Sequence, residues 1–299
     1  MGKMNRYVIY TAVVGNYDEI KQPQVVDNRF DYILFSNDIK EKNVGIWQVR
    51  PIPYHNPIQT KIARWVKTHP EELLDEYEAS LWMDASITVI SFFVYERFLS
   101  CVNNGVKVAT MRHLFRNCAY EEMVFMMYCM FEREDVVLKW GKELRKNKYP
   151  RNNGLCETGV FFRSHFDSQV KLFDNLWWNC IDNYSHRDQL SVNYALWKTG
   201  LKWDCFISEK ENVYHSVYFS HRLHCKKDSQ RMVFGGMEAW LIRYFAKGNM
   251  EQRKRIEDEY YRIYAMPYPK FWAFVLGQYY RILWLIKKIT MDACAAIKG

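Results

Sequence analysis

Cysteines at metal-binding spacing are missing from this chain. Its 8 cysteines stand at positions 101, 118, 129, 156, 180, 205, 225 and 294, with no C-x-x-C pair among them, so a structural zinc site is not expected. A chain of 299 residues has no need of disulfide staples, and reduced, mostly buried thiols in a cytosolic protein fit this usage best. Long apolar runs are missing as well. No stretch reaches the ~18 uninterrupted apolar residues that a spanning helix requires. The first apolar run, Tyr7 to Val14, is short and passes straight into Gly15-Asn16-Tyr17-Asp18 without a small-residue cleavage pattern, so no signal peptide is expected. There is no G-x-G-x-x-G fingerprint, no G-x-S-x-G elbow, no H-E-x-x-H, no Walker loop and no kinase motif set. Dinucleotide binding, Ser-His-Asp hydrolysis and P-loop chemistry therefore lack support. Internal repeats and low-complexity linkers are absent too.

What is present is basic and aromatic. The net charge is +8, with small clusters at Arg145–Lys148 and Arg253–Arg255. Such charge suits nucleotide phosphates or anionic lipid, or simply a solvated surface. No nucleic-acid-binding motif accompanies it, so DNA and RNA are not expected partners. Aromatic residues reach 17%, including 11 Trp and 21 Tyr. They serve equally in a core and in carbohydrate or membrane-surface contact.

Strand and helix signals alternate along most of the chain. Strands are expected at 7–14, 31–36, 80–84, 106–111 and 158–163. Helices are expected at 58–68, 92–101, 120–131, 167–183 and 188–198, with a further one beginning near Pro70, capped by Thr68 and Glu71. This alternation predicts an α/β fold with a parallel sheet. The last ~50 residues read as helical. Glu251–Tyr264 is charged. Phe271–Ile289 is apolar and aromatic, flanked by Lys270, Lys287 and Lys288. That segment suits either a packed terminal helix or an interfacial membrane helix.

The densest chemical signal is Leu81-Trp82-Met83-Asp84-Ala85-Ser86-Ile87. An apolar run ends in an acid, and a second oxygen-bearing side chain stands two positions on. Ligands of open α/β sheets bind beyond the carboxyl ends of strands. Asp84 and Ser86 there can offer hard oxygen ligands to a divalent cation, which in turn can neutralise a diphosphate. The alternative is a turn that ends a strand.

Four more clusters fall where such strand ends gather. After the first strand come Thr11, Val14, Gly15, Tyr17 and Asp18. By itself this reads as a turn; as a site, Gly15 permits close backbone approach, Tyr17 can stack on a base and Asp18 can hold a ribose or base edge. Lys61 and Arg64, with Lys67 following, share a helix face that is either a solvated basic surface or one from which cations can reach a diphosphate. His113 and Arg116 follow a strand directly and can contact phosphate or acceptor. Finally, Asn152–Val160 turns at Asn-Gly into a strand that carries Glu157, and His186–Ser191 carries Asp188. That acid suits a helix N-terminus or faces a reaction centre.

In this order, YTAVVGNYD (10–18), DYILFS (31–36), WMDASI (82–87), RHLFRNCAYEE (112–122), NNGLCETGVFFR (152–163) and HRDQLSVNYAL (186–196) resemble the turgor-regulation-defect and mucilage-related glycosyltransferase-like domain family of plants and bacteria. The resemblance covers roughly residues 5–225. It implies a GT-A-like, Rossmann-like mixed sheet, mostly parallel and flanked by helices, over residues 1–230, and the helical pattern of the tail makes 231–299 a C-terminal extension that suits a membrane surface. It also implies a D-x-D-type site for Mn²⁺ or Mg²⁺ and a nucleotide-sugar donor such as a UDP-sugar. Asp84 would be the first metal acid. Ser86 stands where the family's type has a second acid. A late histidine would complete the site, with His215, His221 and His224 as candidates and His221 preferred.

The implied reaction is glycosyl transfer. Lys61 or Arg64 and the metal would stabilise the departing diphosphate. Glu157 or Asp188 would lie near the anomeric carbon or activate the acceptor hydroxyl. The expected acceptor is a glycan or lipid-linked glycan of surface-polysaccharide type, and the expected location is the cytoplasm, with residues 266–290 resting on the inner leaflet. Two other readings stand beside it. One is a metal-dependent hydrolase of ceramide-type lipids, an activity ascribed to a plant relative. The other is a degenerate, non-catalytic module that binds glycans, for which Ser86 speaks.

Overall fold

The computed structural model describes residues 6–221, apart from 16, 114, 115, 129, 130, 210, 214 and 215. The expected helices at 251–264 and 271–289, with His215 and His224, lie outside the described residues. The chain divides into two compact units, Met1–Ala119 with Lys142–Lys227 and Tyr120–Gly141 with Asp228–Gly299. Every described strand belongs to the first.

Apolar runs bounded by turns become the strands. β1 (Tyr7–Ala12), β2 (Phe30–Phe35) and β5 (Ala79–Met83) are almost wholly buried along their length. This is the pattern of strands covered on both faces. Short β3 (Asn43–Val44) and β4 (Trp47–Arg50) precede α1 (Gln59–Thr68) and α2 (Pro70–Leu73). β6 (Ile87–Val89), α3 (Phe93–Asn103) and β7 (Val108–Arg112) follow β5, and then come α4 (Ala119–Tyr128) and α5 (Glu134–Lys146). The remaining elements are β8 (Cys156–Ser164), α6 (Ser168–Asn183), a 3-10 turn (Asp188–Leu190), α7 (Val192–Thr199), β9 (Asp204–Cys205) and β10 (Phe219–His221).

The main sheet has 8 strands in the order β3-β4-β2-β1-β5-β8-β7-β9, and β6 pairs with β10 in a second, two-stranded sheet. β1 runs parallel to β2 and β5, and β2 to β4. β8 is antiparallel to both β5 and β7, so β7 points the same way as β5. The expected mixed, mostly parallel sheet flanked by helices is therefore found. One core cluster, with Ile9, Leu34, Leu81, Phe98 and Phe162, lies on one side of it. Another, with Tyr10, Val66, Trp82, Phe161 and Trp177, lies on the other.

Two local readings are corrected. Thr68 does not cap the second helix. It closes the first, its hydroxyl donating back to the carbonyls of Arg64 and Trp65. Pro70 then takes the first helical position, where its missing N–H costs nothing, and His69 precedes it. The helix expected at 188–198 is a 3-10 turn followed by α7. Asp167 does begin α6 as read, as the cap whose side chain accepts from the N–H groups of Gln169 and Val170. The described cysteines are free, and Cys101, Cys118, Cys156 and Cys180 are buried.

Candidate functional site

Because β1, β2, β5 and β7 share one direction, their carboxyl ends meet on one edge, together with the start of antiparallel β8. That edge carries the loop after β1, the segment Ser36–Asp38, the turn Asp84–Ser86, His113 and Glu157. It is the edge where ligands of such sheets bind.

At its centre four charges close on each other. α1 presents Arg64 and Lys67 three residues apart, hence on one face. Lys67 Nζ lies 2.5 Å from Asp188 Oδ2 and 3.5 Å from Asp84 Oδ1. Arg64 Nε lies 3.2 Å from Asp188 Oδ1, and its Nη1 lies 3.9 Å from Asp84 Oδ1. Asp188 also accepts from Thr158 Oγ1 at 2.9 Å. Two indoles frame the group. Trp82 Nε1 donates to Asp84 Oδ1 at 2.8 Å, and Trp177 Nε1 donates to the Asp188 carbonyl at 3.0 Å. Lys67 Nζ stands 5.4 Å from the Trp82 ring centroid and 5.8 Å from that of Trp177, within cation–π range of both.

Burial alone would raise the Asp188 carboxyl, but Arg64, Lys67 and the Thr158 hydroxyl outweigh it and hold the group well below the usual carboxylate range. Burial draws the Lys67 ammonium below its ordinary value, and Asp188 and Asp84 oppose that. Asp188 Oδ2 accepts from Lys67 and Thr158, while Oδ1 faces Arg64 as an ion pair, and the side chain is 6% exposed. In this structure the acid anchors two cations. Asp84 is the open end of the network, with its side chain 32% exposed.

β8 makes room for this arrangement. Between Thr110 and Met111 of β7 the register jumps from Phe161 to Glu157, so residues 158–160 bulge. Bulges re-aim side chains next to sites, and this one turns Thr158 onto Asp188. It also sets the Gly159 carbonyl to accept from the Asp84 N–H at 2.8 Å. A Cβ on Gly159 would meet Ile87 Cδ1 at 2.9 Å and stand 3.7 Å from Asp84 Oδ2. A side chain at this position would press on the end of Ile87, which can turn aside to relieve the contact.

The other expected residues are placed as follows. Thr11 is buried near the end of β1. Val14 accepts from the Tyr17 N–H, and Asp18 is half-buried in the same loop. Gly15 takes φ +67°, and its N–H donates to Asp38 Oδ2 at 2.6 Å. Asp38 went unnoticed in the sequence, although it follows the DYILFS strand at its carboxyl end. Lys61 is not part of the charge cluster, because its Nζ is engaged by the carbonyl and carboxylate of Asp182 at the end of α6. The cations brought together are Arg64 and Lys67. His113 is buried after β7, and its Nδ1 accepts from the Arg116 N–H at 3.0 Å. The Arg116 guanidinium lies 2.9 Å from His113 Nε2. Glu157 is buried at the start of β8.

The fit of a divalent cation can be judged from the donors. Ser86 is 9% exposed. β10 brings His221 opposite Ile87, next to the Asp84–Ser86 turn. Among the described residues no group of three His, Cys, Asp or Glu side chains is placed to hold a metal ion. Asp84 Oδ1 is already bonded to Trp82 and faced by two cations. A hard dication prefers six or more oxygen ligands, and the set among the described residues does not by itself fit it as a protein-built site.

Comparison with curated proteins returned no match. Among solved structures the chain is similar to the apo form of the bifunctional glycosyltransferase WbbM, with TM-score 0.39 and 11% identity over 69% of this chain. It spans 39% of that protein's length. It is similar also to the apo form of mouse xyloside xylosyltransferase 1, with TM-score 0.39 and 6% identity over 67% of this chain and 84% of that one. The assignment rests on neither. It rests on the family model for the TOD1/MUCI70 glycosyltransferase-like domain, which matches residues 1–221 and so takes in every residue of the site. The chain belongs to the TOD1/MUCI70 glycosyltransferase-like domain family.

Proposed function

We propose that this chain transfers a sugar from a nucleotide-diphosphate sugar, such as a UDP-sugar, to a glycan or lipid-linked acceptor in surface-polysaccharide synthesis, at the inner face of the cell membrane. The observation that carries this reading is the meeting of Asp84, Arg64, Lys67 and Asp188 at the carboxyl edge of the sheet. The Gly15 turn lies on the same edge, its positive φ suited to glycine, with the Gln59 side chain packed where a Cβ would stand.

In the proposed reaction an acceptor hydroxyl oxygen bonds to the anomeric carbon while the bond from that carbon to the diphosphate oxygen breaks. The electron pair leaves with the diphosphate, where Arg64 meets the growing charge. Since Asp188 is committed to its two cations, Glu157 is the carboxylate assigned to the hydroxyl proton. His113 and Arg116 line the acceptor side. Residues 266–290, which lie outside the described residues, are the proposed membrane contact. No described helix is long and apolar enough to cross a membrane.

The test is incubation of the full chain with a panel of UDP- and GDP-sugars and lipid-linked glycan acceptors, with product analysis by mass spectrometry. A sugar-sized mass gain on one acceptor, lost in Asp84→Asn, is expected. Failure of every donor to yield nucleoside diphosphate or product would sink the proposal.

A further inference from the structure

Asp84 has its positive charge built in. Lys67 is 0% exposed and held between two indoles, so its ammonium cannot swing into solvent. It stands 3.5 Å from Asp84 Oδ1, and Arg64 adds a second positive charge 3.9 Å away. Asp188 sets these distances. By binding Lys67 at 2.5 Å and Arg64 at 3.2 Å it keeps both cations beside Asp84 without letting them close onto it.

The cluster holds two acids and two bases, so it is neutral. A neutral cluster lacks the surplus negative charge that draws a dication to a carboxylate site. The oxygen ligand that an acid at position 86 would add is a nearly buried hydroxyl instead. The Asp84 side chain is 32% exposed, so its carboxylate can accept from a hydroxyl of the bound sugar nucleotide. The Arg64 side chain as a whole is 18% exposed, against 0% for Lys67, although Arg64 Nε is buried against Asp188. It is the cation that can reach out to a phosphate, in the forked geometry arginine offers.

Granted the transferase reading above, we infer that Lys67 and Arg64 supply at Asp84 the positive charge a divalent cation would supply, so that nucleotide diphosphate binds here without added metal. Lys67 touches Asp84 and Asp188 and acts through them, as a positioning residue. Arg64 is the phosphate contact.

The experiment is calorimetric titration of UDP and GDP into the full chain, in EDTA and again in Mn²⁺. The wild type is expected to bind one nucleotide with the same affinity in both, within about threefold. Lys67→Met alone would strand the Asp188 charge, so the informative variant is Lys67→Met with Asp188→Asn, its fold checked by circular dichroism. That variant is expected to lose about tenfold or more in EDTA and to recover part of the loss in Mn²⁺. Lys67→Arg, which keeps the charge, is expected to stay metal-independent. Strict Mn²⁺ dependence in the wild type overturns the inference while leaving the transferase reading intact, and so does undiminished EDTA binding by the folded double variant. Binding of neither nucleotide under either condition overturns both.

Discussion

Lys67 Nζ and Asp188 Oδ2 lie 2.5 Å apart across 121 residues of sequence, with the lysine wholly buried. Removing one partner of such a pair leaves the other charge without compensation in a medium that solvates it poorly. Asp188→Ala is expected to lower stability by about 3–5 kcal/mol. The paired change Lys67→Met with Asp188→Asn should cost clearly less than the sum of its single changes. Urea unfolding of the four proteins reads this directly, and additive losses would show that the pair is not coupled.

Asp84 stands at the solvent end of the same network. Asp84→Asn keeps an oxygen for the Trp82 indole to donate to and removes only the charge. Stability should change by less than about 1 kcal/mol, because the group is partly exposed and its cations retain Asp188. Sugar transfer should fall by about 100-fold or more, the scale on which lost electrostatic stabilisation acts. An Asp84→Asn protein of normal activity would place the chemistry elsewhere.

Arg64 and Lys61 share a helix face but not a role. Lys61 pairs with Asp182, whose side chain is 42% exposed, and Lys61→Ala should cost under about 1 kcal/mol. Nucleotide affinity should then stay unchanged. Arg64→Ala should weaken nucleotide binding by about tenfold or more. The reverse ranking in a titration series would show that Lys61 is the phosphate contact.

Gly159 lies against the end of a flexible side chain. The Cβ of Gly159→Ala would stand 2.9 Å from Ile87 Cδ1, and a turn of that side chain relieves the contact. Stability should fall by about 1 kcal/mol, the scale of an off-rotamer adjustment, and nucleotide affinity should stay unchanged. A larger fall in both, read by thermal unfolding and titration, would mean that Ile87 is held in place and that the β5–β8 pair shifts under Asp84.

His165 gives the fold a pH dependence away from the site. Its Nδ1 lies 2.9 Å from the Tyr77 carbonyl and must donate to it, so Nε2 accepts from the Ser80 hydroxyl at 2.8 Å. Burial, opposed by the Tyr77 carbonyl, pushes the imidazole from 6.5 down to about 4. The unfolded chain therefore binds a proton between these values that the folded chain refuses. Stability should be full above pH 6.5 and decline as pH falls toward 4, by on the order of 2–3 kcal/mol. His165→Gln should flatten that part of a stability-against-pH curve, and an unchanged slope would assign it to other groups.

The sequence by itself determined the long buried strands β1, β2, β5, β7 and β8 to within two residues at each end, and left the short strands β3, β4, β6, β9 and β10 unmarked. An apolar run with both faces buried has one way to end in water, and Asp84, Gly15 and His113 stand at such ends by their position in the chain alone. The order of the motifs was likewise enough to name the family. The bulge in β8 was not legible, because it is a mismatch between two strands and leaves no mark in either. Nor was the partner of each cation. Lys61, Arg64 and Lys67 are alike in spacing and charge, and only the packing of α1 against α6 and the sheet decides their partners. It sends the first to Asp182 and the other two to Asp188 and Asp84. Spacing along a helix fixes which side chains share a face. Which acid meets that face is set by chain folded in from 121 residues away, and the tertiary structure alone decides it.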